Sequence, residues 1–268
     1  MENAPDIVAI VNVTDDSFSD GGRYRAPEAA IAHARALESQ GADWIELGPA
    51  SSNPDAGLVP ADEQIRRLEP IVRVLGEGPL PLSIDATLPP VLDWALDAGV
   101  DMVNDVRGFP DPATRERLAD ARAKVVVVHS LLGLERATRD HATPEEVLDR
   151  IDRFFEARLA ELVAAGVDER RLIVDPGMGF FLGDTPEPSV AVLQRLPELA
   201  ARYALPLYVS VSRKSFLGAL TGKPTADRGA ATLAAELEAI DRGAACIRTH
   251  DVAALHDALA VRKAVRAE

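Results

Sequence analysis

Eight short apolar runs punctuate this chain, and each is followed by side chains that could hold a polar ligand. Asn12 follows the first run and Gly48-Pro49-Ala50-Ser51-Ser52-Asn53 the second. Asp85 ends the third, Asn104-Asp105 the fourth, His129-Ser130 the fifth and Asp175-Pro176-Gly177 the sixth. Ser212-Arg213-Lys214-Ser215 and Arg248-Thr249-His250-Asp251 end the last two. Singly, each has a structural explanation. Asp175 can open a turn, Asp85 and Asn104 can cap helices, His129 can be a packing histidine, and Arg213-Lys214 can be a solvated pair. Repetition after every run is harder to explain by turn chemistry alone.

Chemically these side chains fall into two halves. Asp85, Asn104 and Asp175 suit the edge of a flat heterocycle: a carboxylate accepts two parallel N–H bonds, and an amide both donates and accepts. Asn12, Ser52, Lys214, Arg248 and His250 offer hydroxyl, amide and cationic donors without a second carboxylate. That set suits a phosphate or diphosphate, with Asn12 able to give an oxygen to Mg²⁺. The expected ligand is a flat polar heterocycle joined to a phosphorylated group.

Bringing positions 12 to 250 together requires a particular scaffold. The apolar runs are Ile7–Val11, Trp44–Leu47, Leu82–Ile84, Met102–Val103, Val125–Val128, Leu172–Val174, Leu207–Val211 and Ala245–Ile247. They lack in–out alternation, as strands buried on both faces do. Amphipathic stretches lie between them, near 27–40, 61–75, 90–98, 112–121, 143–165, 187–203, 227–242 and 252–266. Pro27, Pro112, Pro144 and Pro188 sit near helix starts; Gly41, Gly99, Gly166 and Gly243 sit just past helix ends. Eight strands alternating with eight helices predict a single (β/α)8 TIM barrel over residues 1–268, a single domain with no interdomain linker. A doubly wound sheet is the rival, but no glycine-rich dinucleotide fingerprint follows the first strand. In a barrel the residues that follow the strands share one rim, where such folds carry their chemistry.

Composition narrows the function further. Lys plus Arg number 29 and Asp plus Glu 43, a net charge of −14 in 268 residues. A chain this acidic is not expected to hold a nucleic-acid backbone, and an anionic ligand must be met by a local cationic pocket or a metal. No apolar run approaches the ~18 residues of a membrane helix. The amino-terminal MENAPD has neither a basic nor an apolar signal region, and the single cysteine, Cys246, excludes an internal disulfide; a cytoplasmic protein is expected. Cys246 reads as an inert buried thiol, Phe154, Phe155, Trp44 and Trp94 as packing residues. His33, His141 and His256 lie away from the rim. No HExxH or CxxC spacing suggests zinc.

At these residues the sequence resembles dihydropteroate synthase over essentially its whole length. The matching stretches are IVNVTDDSFSDGGRY (10–24), GADWIELGPASSNPDAG (41–57), SIDATLP (83–89), VNDVRGF (103–109), LIVDPGMGF (172–180), VSVSRKSFLGAL (209–220) and RTHDV (248–252). The resemblance is closer still to the sulfonamide-insensitive subgroup. It implies condensation of 6-hydroxymethyl-7,8-dihydropterin diphosphate with 4-aminobenzoate, giving 7,8-dihydropteroate and diphosphate for folate synthesis, with Mg²⁺ as cofactor, in a homodimer. It implies Asn12 as the Mg²⁺ ligand, and Asp85, Asn104 and Asp175 on the pterin edge. Lys214 falls between the pterin carbonyl side and the aminobenzoate. Arg248 lies across the pterin face, reaching the diphosphate with His250, and Asn12, Lys214, Arg248 and His250 form the catalytic group. Ser52 replaces a family threonine near the diphosphate, and Asn53 replaces a family arginine. Ser215 is expected at the aminobenzoate carboxylate, and the stretches 14–24 and 50–58 are expected to cover the site. After DPG the chain reads GFFLGDTPE, about two residues longer than the usual family turn and without its lysine; Phe180 is expected to line the aminobenzoate pocket and exclude sulfonamides. Two other functions fit part of this pattern: a methyltetrahydrofolate-dependent methyltransferase, and a silent pterin-binding paralogue.

Overall fold

Strands that cannot alternate because both faces are covered need helices outside and side chains inside, and a closed barrel supplies both. The computed structural model describes residues 4–13, 26–50, 57–131 and 143–266. Its strands are β1 (Asp6–Asn12), β2 (Trp44–Gly48), β3 (Leu82–Asp85), β4 (Met102–Asp105), β5 (Lys124–Val128), β6 (Leu172–Asp175), β7 (Leu207–Val209) and β8 (Ala244–Thr249). They pair in chain order, all parallel, and β1 closes on β8 through Asp6↔Cys246 to Ala9↔Thr249. The helices are α1 (Ala26–Ser39), α2 (Ala61–Leu75), α3 (Pro89–Asp97), α4 (Pro112–Asp120), α5 (Pro144–Ala164), α6 (Glu187–Tyr203), α7 (Ser215–Thr221), α8 (Gly229–Asp241) and α9 (Val252–Arg266). The expected (β/α)8 barrel is the fold. The short helix α7, which the periodicity does not predict, follows β7 ahead of α8.

Helix placement follows from local rules. In α2 the buried positions Leu68, Ile71, Val72 and Leu75 recur at one face and pack on the strands. In α5, Thr143 and Glu146 form a reciprocal capping box and Pro144 occupies the first turn, so the helix starts where the sequence marks it. Among the described residues no helix is long and apolar enough to cross a membrane.

The apolar core has two shells. The larger lies between strands and helices. The smaller includes Val8, Trp44, Met102, Val126, Ile173, Tyr208 and Cys246 and fills the barrel. Strand side chains alternate faces, so the residue two beyond an inward one also points inward. Two beyond Trp44 is Glu46, beyond Met102 is Asn104, beyond Ile173 is Asp175, and beyond Cys246 is Arg248. The interior therefore changes from apolar to polar along each of these strands, toward their carboxyl ends. Trp44, Phe155 and Cys246 are buried as expected.

Candidate active site

Glu46 is the centre of the polar end of the barrel. Its carboxylate is fully buried. Oε2 accepts from Ser83 Oγ (2.9 Å), Asn104 Nδ2 (3.1 Å) and Tyr208 Oη (3.0 Å), so β3, β4 and β7 all converge on β2. Oε1 accepts from Arg248 Nε. The other end of that guanidinium, Nη2, donates to Asp85 Oδ2 at 3.0 Å. One arginine from β8 thus bridges carboxylates from β2 and β3.

Around this bridge stand the residues expected to hold a heterocycle. Asn104 is buried, and its Oδ1 has no hydrogen-bond partner, so a buried acceptor is left facing the site. An orphan of this kind costs about 1–3 kcal/mol unless a ligand donor meets it. Asp175 Oδ1 accepts from the Gly177 N–H at 2.8 Å. Burial pushes the Asp175 carboxyl up to about 6, against the downward pull of that N–H, Lys214 and Arg248. Burial also raises Asp85 well above the carboxylate range; Arg248 pulls against it, and the Glu46 charge adds to it. Lys214 is brought down to about 8, first by burial and then by Arg248, with Asp175 and Asp85 opposing.

The turn that carries Lys214 is held from behind. Arg213 adopts φ 59°, its N–H donates to Thr232 Oγ1 at 3.0 Å, and Arg228 Nη1 donates to the Arg213 and Lys214 carbonyls at 2.9 and 3.2 Å. In front of it, Gly179 adopts φ 66°; a Cβ there would lie 3.1 Å from Ser215 Oγ and 3.3 Å from Lys214 Cβ. The backbone of the Gly179–Phe181 turn therefore lies against the start of α7. Phe181 is buried, with the Lys214 Nζ 4.3 Å from its ring centroid, while Phe180 is 58% exposed on the same turn. Ser215 is half-buried as the first residue of α7.

His250 differs from the expected cation. Burial, then Arg248, Arg213 and Lys214, hold its imidazole down at about 3. Ser212 Oγ accepts the His250 backbone N–H (3.2 Å) and lies 2.9 Å from Nδ1, the tautomer setting which of the two donates. With Ser212 as the donor to Nδ1, the neutral ring carries its hydrogen on Nε2 and can give it to an anion. His129, also at the rim, is a packing residue: it is buried, its Nδ1 lies 3.2 Å from the Pro176 carbonyl, and its ring meets Phe154 edge-on at 5.3 Å.

Asn12 ends β1 opposite Gly48 and is exposed. Ser52, Asn53 and the expected covering stretch 14–24 lie outside the described residues, as does most of 50–58. The polar arrangement thus gathers Asp85, Asn104, Asp175, Lys214 and Arg248, with His250 beside them. Sequence reasoning missed Glu46 and Tyr208. The available signal was a charged residue inside the apolar run Trp44–Leu47.

Comparison with known proteins agrees with this geometry. The sequence model of the family described as "Pterin binding enzyme" matches residues 8–250. The dihydropteroate synthase type-2 of Escherichia coli is 53% identical over 260 residues, covering 97% of this chain and 96% of that protein. The Xanthomonas albilineans dihydropteroate synthase solved with 4-aminobenzoic acid superposes with a TM-score of 0.89 at 40% identity, over 98% of this chain and 94% of that one. The same enzyme in complex with 7,8-dihydropteroate gives a TM-score of 0.85 at 38% identity over the same shares.

Proposed function

Because the chain belongs to the pterin-binding enzymes, in their dihydropteroate synthase branch, we propose that it condenses 6-hydroxymethyl-7,8-dihydropterin diphosphate with 4-aminobenzoate, releasing diphosphate and forming 7,8-dihydropteroate. The observation that carries this reading is the juxtaposition of the buried Asp175, the half-buried Asp85 and an orphaned amide oxygen with the half-buried Lys214 and Arg248 at one barrel end. Acceptors of this kind suit the N–H edge of an aminopyrimidine, and the cations suit its carbonyl and its anionic substituent.

The chain's residues perform the reaction mainly by orienting and by balancing charge. Asp85, Asn104 and Asp175 fix the pterin edge. Lys214 faces the pterin and the aminobenzoate, and Ser215 stands near the acid's carboxylate. As the methylene C–O bond breaks, its electron pair goes to the diphosphate, whose growing charge Arg248 meets as a cation and His250 as a neutral N–H donor. The arylamine lone pair forms the new C–N bond, and the resulting ammonium loses its proton to solvent. An arylamine is unprotonated at neutral pH, so no protein base is needed.

Magnesium fits this site in one way. Among the described residues no group of three His, Cys, Asp or Glu could hold a metal. Asn12 offers one neutral oxygen, a donor set suited to a Mg²⁺ that arrives on the diphosphate, keeps its waters and takes a single protein ligand. Bound there, Mg²⁺ supplies further charge neutralisation to the leaving group. Ser52 belongs to the same diphosphate region in this reading. By resemblance the enzyme acts in folate synthesis as a cytoplasmic homodimer.

We also assign Phe180 to sulfonamide discrimination. Its exposed ring sits on the turn against which Lys214 and Ser215 pack. A ring beyond the carboxylate position admits the flat acid and obstructs a tetrahedral sulfonyl with its substituent. Turnover measured with aminobenzoate in the presence and absence of sulfamethoxazole tests both statements. Dihydropteroate and diphosphate should form in equal amounts and persist with the drug, and Phe180→Ala should restore inhibition while keeping turnover. Pterin binding without diphosphate release rejects the reaction; unchanged inhibition in Phe180→Ala rejects that residue's role.

A further inference from the structure

Arg248 has two employments that conflict. Its Nη2 is bonded to Asp85 Oδ2 at 3.0 Å. Under the reading above, Asp85 shares the pterin edge with Asn104 and Asp175, and Arg248 must face the diphosphate. Asp85 has lone pairs enough to meet a pterin whether or not this bond stands, but an Nη2 that turns to the diphosphate gives up its bond to Asp85.

What stays fixed during that exchange is the other end of the guanidinium. Arg248 Nε is bonded to Glu46 Oε1, and Glu46 cannot follow a moving partner. It is fully buried, and Oε2 is clamped by Ser83, Asn104 and Tyr208 from three other strands. A buried ion pair seldom stabilises a fold more than well-packed apolar residues of the same volume. This arrangement of four polar side chains inside a barrel is therefore better explained by what it does to Arg248 than by stability. We propose that Glu46 is a positioning residue for the transfer: it pins Arg248 by Nε, so that Nη2 can leave Asp85 for the incoming pterin and turn to the diphosphate without the side chain losing its place. The inference rests on the reaction assigned above and adds to it a residue that never touches substrate.

The division of labour between the two Glu46 oxygens provides a selective variant. In Glu46→Gln the amide oxygen can take the Oε2 position and keep all three neutral donors. The amide NH₂ then faces Arg248 Nε–H, donor against donor, and the pin alone is lost. With Glu46→Gln, kcat/KM for pterin diphosphate should fall about tenfold or more. Binding of 6-hydroxymethylpterin, which lacks the diphosphate, and the KM for aminobenzoate should stay within about twofold of wild type. In wild type, the Arg248 Nε–H cross-peak in a heteronuclear NMR spectrum, assigned by its loss in Arg248→Lys, should keep its carboxylate-bonded shift when pterin diphosphate is added. Three outcomes overturn the proposal: loss of diphosphate-free pterin binding in parallel with kcat/KM, unaltered kinetics in Glu46→Gln, or movement of the wild-type cross-peak to a free-guanidinium shift on adding substrate. The NMR arm reads the pin in wild type even where the variant fails to fold. Absence of wild-type turnover strikes at the reaction itself; a Glu46→Gln enzyme equal to an active wild type strikes at Glu46 alone.

Discussion

An aspartate can accept an N–H donor only when the accepting oxygen carries no proton, and Asp175 is placed where that condition is met just below neutrality. Burial lifts it to about 6, with the Gly177 N–H, Lys214 and Arg248 acting in the opposite direction. Above that pH it is an acceptor; as pH falls through it, the proton blocks the pterin edge. Asp85 is raised as well, so it acts in the same sense. His250 is held down at about 3 and does not change charge in this window. The affinity for 6-hydroxymethylpterin should therefore weaken as pH falls through about 7 and about 6, where Asp85 and Asp175 take up protons, and level off only above about 7. Asp175→Asn should bind about tenfold more weakly at neutral pH with a flatter profile, and an unaltered profile in that variant would show that another group sets it. The difference between Asp175 and Glu46 shows what a sequence can reveal at this scale. Asp175 stands at the end of an apolar run, close to a glycine, where its type and position are both conspicuous. Glu46 stands within a run whose two faces are both covered, and nothing local distinguishes inward from outward. Its partners Ser83, Asn104, Tyr208 and Arg248 lie 37 to 202 residues away and meet it only when the barrel closes.

Among the elements, the turn after β6 and the helix α7 form a unit, and glycine is what permits their contact. Gly179 has φ 66° and no room for a Cβ without moving Ser215 Oγ or Lys214 Cβ. Gly99 has φ 76°, but a Cβ added there would meet nothing within 4 Å, and it lies between α3 and β4 at the opposite end of the barrel from the site. The two form a controlled pair. Alanine at either position meets the left-handed backbone penalty of about 1–2 kcal/mol, a fall in melting temperature of roughly 2–8 °C for a chain of this size. Only Gly179→Ala should also displace Lys214 and Ser215, raising the KM for aminobenzoate several-fold, while Gly99→Ala keeps wild-type constants. Identical kinetics in the two variants would separate the turn from the binding of the acid. The strands were legible as recurring apolar runs, and the helices other than α7 because their period persists over enough residues to be seen. Helix α7 spans only seven residues, too few for a period to show, and it begins at the polar stretch Ser212-Arg213-Lys214-Ser215 that ends the seventh apolar run. Its position is set by tertiary contacts, with Arg228 holding the carbonyls at its start.

For the molecule as a whole, the net charge opposes the two cations, Arg248 and Lys214, that stand among the carboxylates of the site. The chain carries −14, while Arg248 and Lys214 gather at the polar end of the barrel. A pterin diphosphate approaching from a distance meets the whole field, and only within the last few ångströms do its phosphate oxygens meet Arg248 and Lys214 individually. The Debye length is about 30 Å at 0.01 M salt and about 10 Å at 0.1 M. Adding salt over that range removes the long-range repulsion before it reaches the short-range attraction at a partly desolvated site. The composition thus predicts an inversion of the usual behaviour for an enzyme with an anionic substrate. The value of kcat/KM for pterin diphosphate should rise between about 0.01 and 0.1 M salt and fall only above that, whereas binding of 6-hydroxymethylpterin, which has no diphosphate, should hardly respond. Measuring both along one salt series, at fixed Mg²⁺ activity, distinguishes the two ranges of the field. A decline in kcat/KM from the lowest salt onward would mean that Arg248 and Lys214 govern the approach from the start, and that the acidic exterior is electrostatically silent toward this substrate.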